Sequence, residues 1–346
     1  ITPWNFPVAI PVWKMAPALV SGNTVVFKPA SLTPLTAALV VEVFEECGIP
    51  PGVLNLVFGG GREVGDTIVK HPAIQGVSFT GSNDVGTGLY SAAAARGIKC
   101  QCEMGGKNPI VVLADADLDL AVESTIQGAF GSTGQRCTAT SRAVVEQSIA
   151  NEFVERLHAR AASLVVGNGM DPATNVGPSV DDKQLDTVLE YIGIAQSEGA
   201  RLVTGGARLK EGALDRGFFV APTIFDDVDA NMRVAQEEIF GPVLSVIRAA
   251  DTRSALEIAN GVRFGLSASV YTNDVASMFR FVDQLDAGII HVNSPTVGGE
   301  AHIPFGGMKA TGVGLREMGS VAIDFYTELK VVYVDYTGGK RTGNLY

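Results

Sequence analysis

Short apolar runs alternate with segments of helical spacing over the first third of the chain. A continuous apolar run predicts a strand, and apolar positions three or four residues apart predict a helix. The predicted strands are residues 24–27, 53–57, 76–79 and 98–103, and the predicted helices are residues 35–47, 64–70 and 85–96. Strands that alternate with helices in this order predict a parallel sheet covered by helices on both faces.

The same alternation returns over the rest of the chain. The predicted strands are residues 109–113, 143–146 and 288–292 with runs near Arg201, Phe218, Val243 and Ser267, and the predicted helices are residues 151–164, 182–197 and 274–285. The fold class is therefore α/β, with two doubly wound parallel-sheet domains. Residues 330–336 form a last strand-like run with no later strand to pair with, so we expect that edge to pair with another subunit.

Length and charge narrow the possible classes of protein. With 346 residues and 46% hydrophobic content, the chain is long enough for two domains with large cores. Its formal net charge of −11 repels a phosphate backbone, so we expect no nucleic acid partner. No apolar run reaches the length of a membrane span and no signal peptide is visible, so we expect a cytoplasmic protein without a membrane partner. Because Ile1 is not an initiator Met, we expect a further segment to precede it.

The chain has four cysteines and four histidines, and their spacing shows no metal-ligand pattern. So few cysteines in a long chain fit a reducing compartment better than a disulfide scaffold. Cys137 stands out because it follows Gly134-Gln135-Arg136 in a glycine-rich polar segment. Two interpretations stay open from the residues alone: Cys137 is a small buried hydrophobe, or it is a nucleophile whose thiolate form Arg136 favours.

Two further polar residues occupy positions suited to catalysis. Glu103 ends a predicted strand, and active sites of open α/β sheets lie beyond the carboxyl ends of strands. It is either a general base, or a helix N-cap or surface carboxylate. Asn5 lies between bulky apolar residues in segment 3–7. Its amide either donates to a developing oxyanion or forms a turn.

A predicted strand gives way to a helix at Phe79-Thr80-Gly81-Ser82. The N–H groups in the first turn of such a helix can bind a pyrophosphate. The dinucleotide fingerprint G-x-G-x-x-G is not present, since the glycines of residues 59–65 miss its spacing by one residue. The junction alone therefore indicates a phosphate site without identifying the ligand.

In this order, the motifs closely resemble the aldehyde dehydrogenase superfamily across nearly the whole chain. The segments that carry the resemblance are residues 3–7, 28–30, 79–82, 103–109, 134–137, 237–242 and 304–307. The resemblance implies NAD(P)-dependent oxidation of an aldehyde to a carboxylic acid by a homodimer or homotetramer. It also implies a Rossmann-like cofactor domain over residues 1–105, incomplete at its N-terminus, a catalytic domain over 106–305, a return to the cofactor domain over 306–329 and an oligomerisation tail over 330–346.

The resemblance implies a role for each matching residue. Cys137 matches the nucleophile, Glu103 matches the base that activates the hydrolytic water, and Asn5 matches the oxyanion-hole amide, with the backbone N–H of Cys137 as second donor. Lys14 matches a lysine near the active centre. The residues that match cofactor contacts are Trp4, Lys28, Ser31, Gly81, Ser82, Glu238 and Phe240. Among these, Lys28 matches the contact to the adenosine ribose and Glu238 matches the contact to the nicotinamide ribose.

The implied substrate is a carboxylated semialdehyde. Residues 131–142, 293–300 and 325–328 resemble the branch that oxidises α-ketoglutaric semialdehyde. Arg136 either holds the distal carboxylate of such a substrate or points outward and packs structurally. Succinate semialdehyde, glyceraldehyde and aliphatic aldehydes stay open. Two other functions also stay open: a CoA-acylating semialdehyde dehydrogenase, a branch that typically lacks the base held here by Glu103, and an inactive truncated homologue with a structural or binding role.

Ser31 bears on the choice between NAD and NADP. Strongly NAD-preferring relatives often carry a glutamate three residues after the lysine that matches Lys28, and that carboxylate repels a 2′-phosphate. Ser31 repels nothing and Lys28 adds a positive charge, so we expect NADP to be accepted as well as NAD. Alternatively, Ser31 caps the helix predicted to begin near Leu35, which is compatible with either cofactor.

Overall fold

The computed structural model describes residues 1–334, 336 and 338. The first part of the chain alternates between strands and helices as predicted. Its elements are α1 (Ala9–Val20), β1 (Val25–Phe27), α2 (Pro34–Glu46), β2 (Leu54–Leu56), α3 (Asp66–Lys70), β3 (Gly76–Thr80), α4 (Asn83–Arg96) and β4 (Lys99–Glu103), with a π-helical turn at Gly61–Gly65 before α3. Helix α1 is not predicted from the sequence because Lys14 interrupts its apolar run; that lysine is buried in an ion pair.

The second part of the chain carries more elements than the sequence predicts. They are β5 (Asn108–Val112), α5 (Leu118–Phe130), β6 (Thr140–Glu146), α6 (Ala150–Ala162), α7 (Asp182–Ser197), β7 (Arg201–Thr204), β8 (Thr223–Asp226), α8 (Arg233–Gln236), β9 (Val243–Ala249), α9 (Thr252–Asn260), β10 (Phe264–Gly265), β11 (Ser267–Tyr271), α10 (Val275–Gln284) and β12 (Ile289–Val292). Short 3-10 turns lie at Gly131–Gly134 and Gly212–Arg216. The last elements are β13 (Met308–Lys309), β14 (Gly312–Val313) and α11 (Ala322–Phe325).

Seven strands of this second part form one sheet in the order β12-β11-β5-β6-β9-β8-β7. All neighbours are parallel except β7, which runs antiparallel to β8. The chain between these two strands holds a short 3-10 turn in place of a crossover helix, so the direction reverses. The strand predicted near Phe218 lies a few residues later than expected: an isolated antiparallel bridge joins Val220 to Arg208, and β8 begins at Thr223.

Helices cover both faces of the seven-stranded sheet. Alternate residues of β5 point to opposite faces: Ile110 and Val112 pack with α5 and α6, whereas Val111 packs with α9 and α10. Each fully buried aliphatic side chain of this kind stabilises the fold by about 1.5–3 kcal/mol. The prediction of a doubly wound α/β sheet is therefore confirmed, and the carboxyl ends of its parallel strands share one edge.

The strands of the first part form two smaller groups. Strands β1 and β2 pair in parallel, as do β3 and β4, and β14 adds to β4 in the antiparallel direction. The first two residues lie between the groups, since the N–H of Thr2 donates to Lys28 (3.1 Å) and the N–H of Thr80 donates to Ile1 (3.1 Å). Through β14, residues late in the chain thus join the sheet of β3 and β4. The neighbouring strand β13 pairs with β10.

The tail carries exposed side chains. Residues 330–334 and 336 have no regular secondary structure, and the other residues after 334, apart from 338, lie outside the described part of the chain. A tail strand that pairs with another subunit would have no partner in a single chain. The strand expected at residues 330–336 therefore stays a prediction. Within the described residues, no helix combines the length and the apolar character needed to cross a membrane.

Candidate active site

The loop before Cys137 has an unusual backbone conformation. Ser132, Thr133 and Gly134 all lie in the left-handed region, with φ angles of 52°, 60° and 65°. Such conformations cost a non-glycine residue about 1–3 kcal/mol and persist where surrounding contacts impose them. A Cβ atom at Gly134 would lie 2.9 Å from the carbonyl oxygen of Ala129, which leaves room for glycine alone. The loop therefore turns sharply between α5 and β6 and presents Cys137 at the turn.

Asn5 lies against this loop. Its Nδ2 atom donates to the carbonyl of Gln135 at 3.1 Å. The Gln135 side chain in turn donates to the carbonyl of Pro178 (3.2 Å) and accepts from the N–H of Val180 (2.9 Å). Because an amide NH₂ group has two hydrogens, this bond leaves one N–H of Asn5 for a negatively charged oxygen near the nucleophile.

The thiol of Cys137 is protonated in this environment. Burial raises the pKa of Cys137 to about 12, and the carboxylates of Glu238 and Glu103 add to the increase, whereas the N–H groups of Thr138 and of Cys137 itself lower it. The expectation that Arg136 makes Cys137 a thiolate is therefore wrong for this state of the site. Loss of hydration and two nearby carboxylates outweigh the guanidinium, so the thiol needs a proton acceptor before it attacks.

Glu103 ends β4 and is 4% exposed, which excludes a surface carboxylate. It precedes strand β5 rather than a helix, which excludes an N-cap. Burial raises the pKa of the Glu103 carboxyl well above its usual range, and Glu317 adds to the increase, whereas Lys14 and Arg316 oppose it. Among the described residues, its Oε2 atom has no hydrogen-bond partner. A carboxyl that holds its proton to higher pH and has an unengaged oxygen is able to exchange a proton with water or ligand.

Lys14 reaches Glu103 through a second carboxylate. It forms a buried ion pair with Glu317, and its Nζ atom lies 2.9 Å from the hydroxyl of Ser78. Glu317 raises the pKa of Glu103 and Lys14 lowers it, so the three groups share one electrostatic environment. Lys14 therefore pairs with Glu317 and acts on the candidate base through its charge.

The junction between β3 and α4 presents a helix N-terminus. Ser82 is the N-cap and has an extended backbone, so the first N–H groups of α4 point along the helix axis out of the helix. The N–H of Gly81 donates to the carbonyl of Glu103 at 3.1 Å and is occupied. A Cβ atom at Gly81 would lie 2.5 Å from the ring of Phe79. A pyrophosphate here would therefore contact Ser82 and the first turn of α4 rather than the N–H of Gly81.

The next candidate cofactor residues are Glu238, Phe240 and Trp4. A carboxylate oxygen of Glu238 accepts from the N–H of Gly106 at 3.1 Å. Burial raises the pKa of Glu238 to about 7, whereas the Gly106 N–H, Lys107 and Arg263 lower it. Phe240 has a left-handed φ of 60°, and its ring meets that of Trp4 edge to face at 5.6 Å. The two rings form an edge-to-face apolar contact, and Phe240 follows Glu238 by two residues in the chain.

Lys28 and Ser31 follow the carboxyl end of β1. Lys28 is buried, its Nζ atom donates to the carbonyl of Pro29 at 2.9 Å, and burial lowers its pKa. Ser31 is exposed, and its hydroxyl donates to the carbonyl of Gly59 at 3.4 Å. The N-cap of α2 is Thr33, so the alternative that Ser31 caps this helix is wrong.

Arg136 joins the nucleophile loop to the segment that holds Asn5. Its guanidinium donates twice to the hydroxyl of Ser132, at 3.0 and 2.7 Å, and lies 5.8 Å from the centre of the Phe6 ring. The side chain is half-buried. It is thus anchored at one end of the loop with part of its charged group open to solvent or substrate.

One protein-family model matches almost the whole chain. Residues 1–332, which include every site residue named above, match the model of the Aldehyde dehydrogenase family. The chain belongs to the aldehyde dehydrogenase family. An alpha-ketoglutaric semialdehyde dehydrogenase of Bacillus subtilis is 50% identical over 334 residues, which are 96% of this chain and 68% of that protein.

Two more relatives extend the comparison. An alpha-ketoglutarate semialdehyde dehydrogenase of Haloferax volcanii is 48% identical over 97% of this chain and 70% of that protein. The crystal structure of a betaine aldehyde dehydrogenase from Staphylococcus aureus in complex with NAD⁺ has a TM-score of 0.92 and 37% identity over 94% of this chain and 64% of that chain. This aldehyde dehydrogenase chain thus spans about two thirds of the length of these relatives.

Sequence reasoning misses three residues that shape the site of this aldehyde dehydrogenase. Glu317 faces the candidate base from a distant part of the chain, and Gln135 orients the candidate oxyanion donor. Asn108 begins β5, whose five residues are all buried. A polar side chain at the start of a fully apolar strand is the signal that could have identified Asn108.

Proposed function

We propose that this aldehyde dehydrogenase oxidises an aldehyde to the carboxylic acid with NAD(P) as oxidant, through covalent intermediates on Cys137. The observation that supports this most is a thiol and a carboxyl close enough to affect each other. The charge of Glu103 adds to the raised pKa of Cys137, and burial raises the pKa of both groups. Once ionised, a carboxyl near the nucleophile can take a proton from the water that releases the product.

The side chains support two successive steps. In the first, the thiol of Cys137 loses its proton to water as its sulfur attacks the carbonyl carbon, and the amide of Asn5 with the backbone N–H of Cys137 binds the oxygen as it gains negative charge. A bound nicotinamide would supply the hydride acceptor, so that the thiohemiacetal on Cys137 could become a thioester by loss of hydride. In the second, Glu103 takes a proton from a water that attacks the thioester carbonyl, and the carboxylic acid leaves Cys137.

The residues present fit a nicotinamide dinucleotide. The N-terminus of α4 at Ser82 suits the pyrophosphate, and the carboxylate of Glu238 suits ribose hydroxyls. The edge-to-face rings of Trp4 and Phe240, which is two residues from Glu238 in the chain, suit an apolar contact with the nicotinamide. We propose NADP use in addition to NAD, because Ser31 is exposed and places no negative charge near Lys28.

We propose α-ketoglutaric semialdehyde as the substrate. Two of the relatives carry that specificity in their names at 50% and 48% identity. Arg136, directly before Cys137, supports a substrate with a distal carboxylate, since its partly open guanidinium can form a charge-assisted pair there. Its two hydrogen bonds to the Ser132 hydroxyl hold the guanidinium against the nucleophile loop.

We further propose a cytoplasmic homodimer or homotetramer with the domain limits given by the resemblance: 1–105, 106–305, 306–329 and 330–346. Helix α10 supports an assembly, because Val275, Phe279 and Val282 lie on one face of it and are 63%, 63% and 42% exposed. It packs beside β11, next to the edge strand β12. An open edge and an apolar stripe together suit contact with a second copy.

The decisive experiment combines the full chain with α-ketoglutaric semialdehyde and NAD and follows the absorbance of the reduced nicotinamide. We expect turnover that yields the free acid, and Cys137→Ala should abolish turnover while the Kd for NAD changes little. Undiminished turnover in Cys137→Ala would contradict the proposal. Turnover that requires CoA and yields a thioester product would favour the acylating branch, and cofactor binding without any turnover would favour an inactive homologue.

A further inference from the structure

Three successive backbone carbonyls around the nucleophile each accept a hydrogen bond from a buried side chain. The Nδ2 atom of Asn108 donates to the carbonyl oxygens of Cys137 at 2.7 Å and of Ala139 at 2.9 Å. The hydroxyl of Thr296 donates to the carbonyl of Thr138 at 2.8 Å. No carbonyl of residues 137–139 is therefore free to turn toward the sulfur while these bonds hold.

Both donor side chains are themselves fixed. Asn108 is 2% exposed and its Oδ1 atom accepts from the N–H of Ser267 at 3.0 Å. Thr296 is fully buried, and its carbonyl accepts from the hydroxyl of Ser267 at 2.7 Å. Ser267 begins β11, which pairs with β5 in the seven-stranded sheet. The nucleophile loop is thus tied to a rigid strand through two separate side chains.

These bonds determine where the N–H groups point. In a trans peptide the C=O of one residue and the N–H of the next point in opposite directions. When Asn108 holds the carbonyl of Cys137, the N–H of Thr138 must point to the other side, and this N–H lowers the pKa of the Cys137 thiol. A freely rotating peptide would lose that donor for part of the time.

We propose that Asn108 and Thr296 are positioning residues for the nucleophile: by holding the carbonyls of residues 137–139, they keep the N–H of Thr138 directed at the sulfur of Cys137 and so stabilise its thiolate. The inference rests on the proposed role of Cys137. It assigns to two buried side chains a measurable effect on the acidity and reactivity of the thiol.

Two variants and two matched controls test the proposal. Thr296→Val replaces a hydroxyl with a methyl group of similar size, and Asn108→Leu removes both amide donors. Thr125 is equally buried and donates to the carbonyl of Ala121 at 2.7 Å, so Thr125→Val is the control for the threonine. Asn23 also bridges two carbonyls, those of Ala18 (3.1 Å) and Tyr326 (2.9 Å), so Asn23→Leu is the control for the asparagine.

The measurement is the rate of alkylation of Cys137 by iodoacetamide across pH, followed on its peptide by mass spectrometry, together with kcat and the KM for NAD. We expect both variants to move the alkylation profile to higher pH by on the order of one unit, with a roughly tenfold slower rate near neutral pH, because one N–H donor to an anion is weakened. The value of kcat should fall with the alkylation rate while the KM for NAD stays within about twofold.

Profiles equal to wild type in both variants, or equal shifts in the variants and their controls, would overturn the proposal. If Asn108→Leu does not fold, Thr296→Val against Thr125→Val decides the question alone. Alkylation requires no turnover, so a wild-type chain that oxidises no aldehyde would refute the proposed function and leave the result for the loop unaffected.

Discussion

Replacing Glu103 with glutamine should separate the two halves of the reaction. The change keeps the shape of the side chain but removes its ability to accept a proton. If Glu103 serves the hydrolysis of the thioester, Glu103→Gln should still transfer hydride once per site and then stop at the acyl-enzyme. A burst of reduced cofactor equal to the number of sites, followed by negligible steady turnover, is the expected kinetic result.

The same variant should be more stable than the wild type above neutral pH. Burial holds the pKa of Glu103 well above its usual range, so the native state keeps the proton where the unfolded chain has lost it. The stability that this proton contributes is present in full below the unfolded pKa and is lost as pH rises through the folded pKa. The loss is about 1.4 kcal/mol for each unit that separates the two pKa values. Glutamine does not ionise, so the variant does not lose this stability. Lys14 and Arg316 lower the pKa of Glu103 and so reduce the loss in the wild type.

The assay for the first effect is stopped-flow absorbance of the reduced nicotinamide, and for the second it is thermal unfolding of both proteins across pH. We expect the difference in Tm between variant and wild type to grow with pH, by about 1–2 °C for each 1 kcal/mol. Loss of the burst would mean that Glu103 activates Cys137 rather than water. A constant Tm difference across pH would refute a raised pKa, and unchanged turnover would remove Glu103 from the mechanism.

Two other predictions concern specificity. Arg136→Leu should raise the KM for a carboxylated semialdehyde roughly ten- to a hundredfold more than the KM for a neutral aldehyde of equal length, since a charge-assisted hydrogen bond is worth ~1.5–3 kcal/mol; equal effects on both would show that Arg136 only packs against Phe6. Ser31→Glu should lower kcat/KM for NADP at least tenfold and change that for NAD little, because the like-charge penalty should exceed ~1.4 kcal/mol. A wild type that uses NAD alone, with no change in Ser31→Glu, would mean that another group rejects the 2′-phosphate.

The electrostatics of the site were beyond sequence reasoning. From the sequence, Arg136 next to Cys137 suggested a thiolate, yet the thiol has a raised pKa. A neighbour in the chain is visible in the sequence, whereas loss of hydration and the approach of Glu238 and Glu103 depend on packing. The effect of Glu317 on the pKa of Glu103 also depends on packing, since Glu317 follows β14, the strand that pairs with β4.

The sequence by itself determined the alternation of strands and helices, because the periodicity of apolar residues reflects which faces are buried. It also determined the family and the identities of Cys137, Glu103 and Asn5 as candidates, because their motifs are short and local. Only the tertiary structure decided that β7 and β14 run antiparallel, and that Asn108 holds the nucleophile loop. Strand direction depends on the path of each connection, and a hydrogen bond between distant residues exists only once the sheet has brought them together.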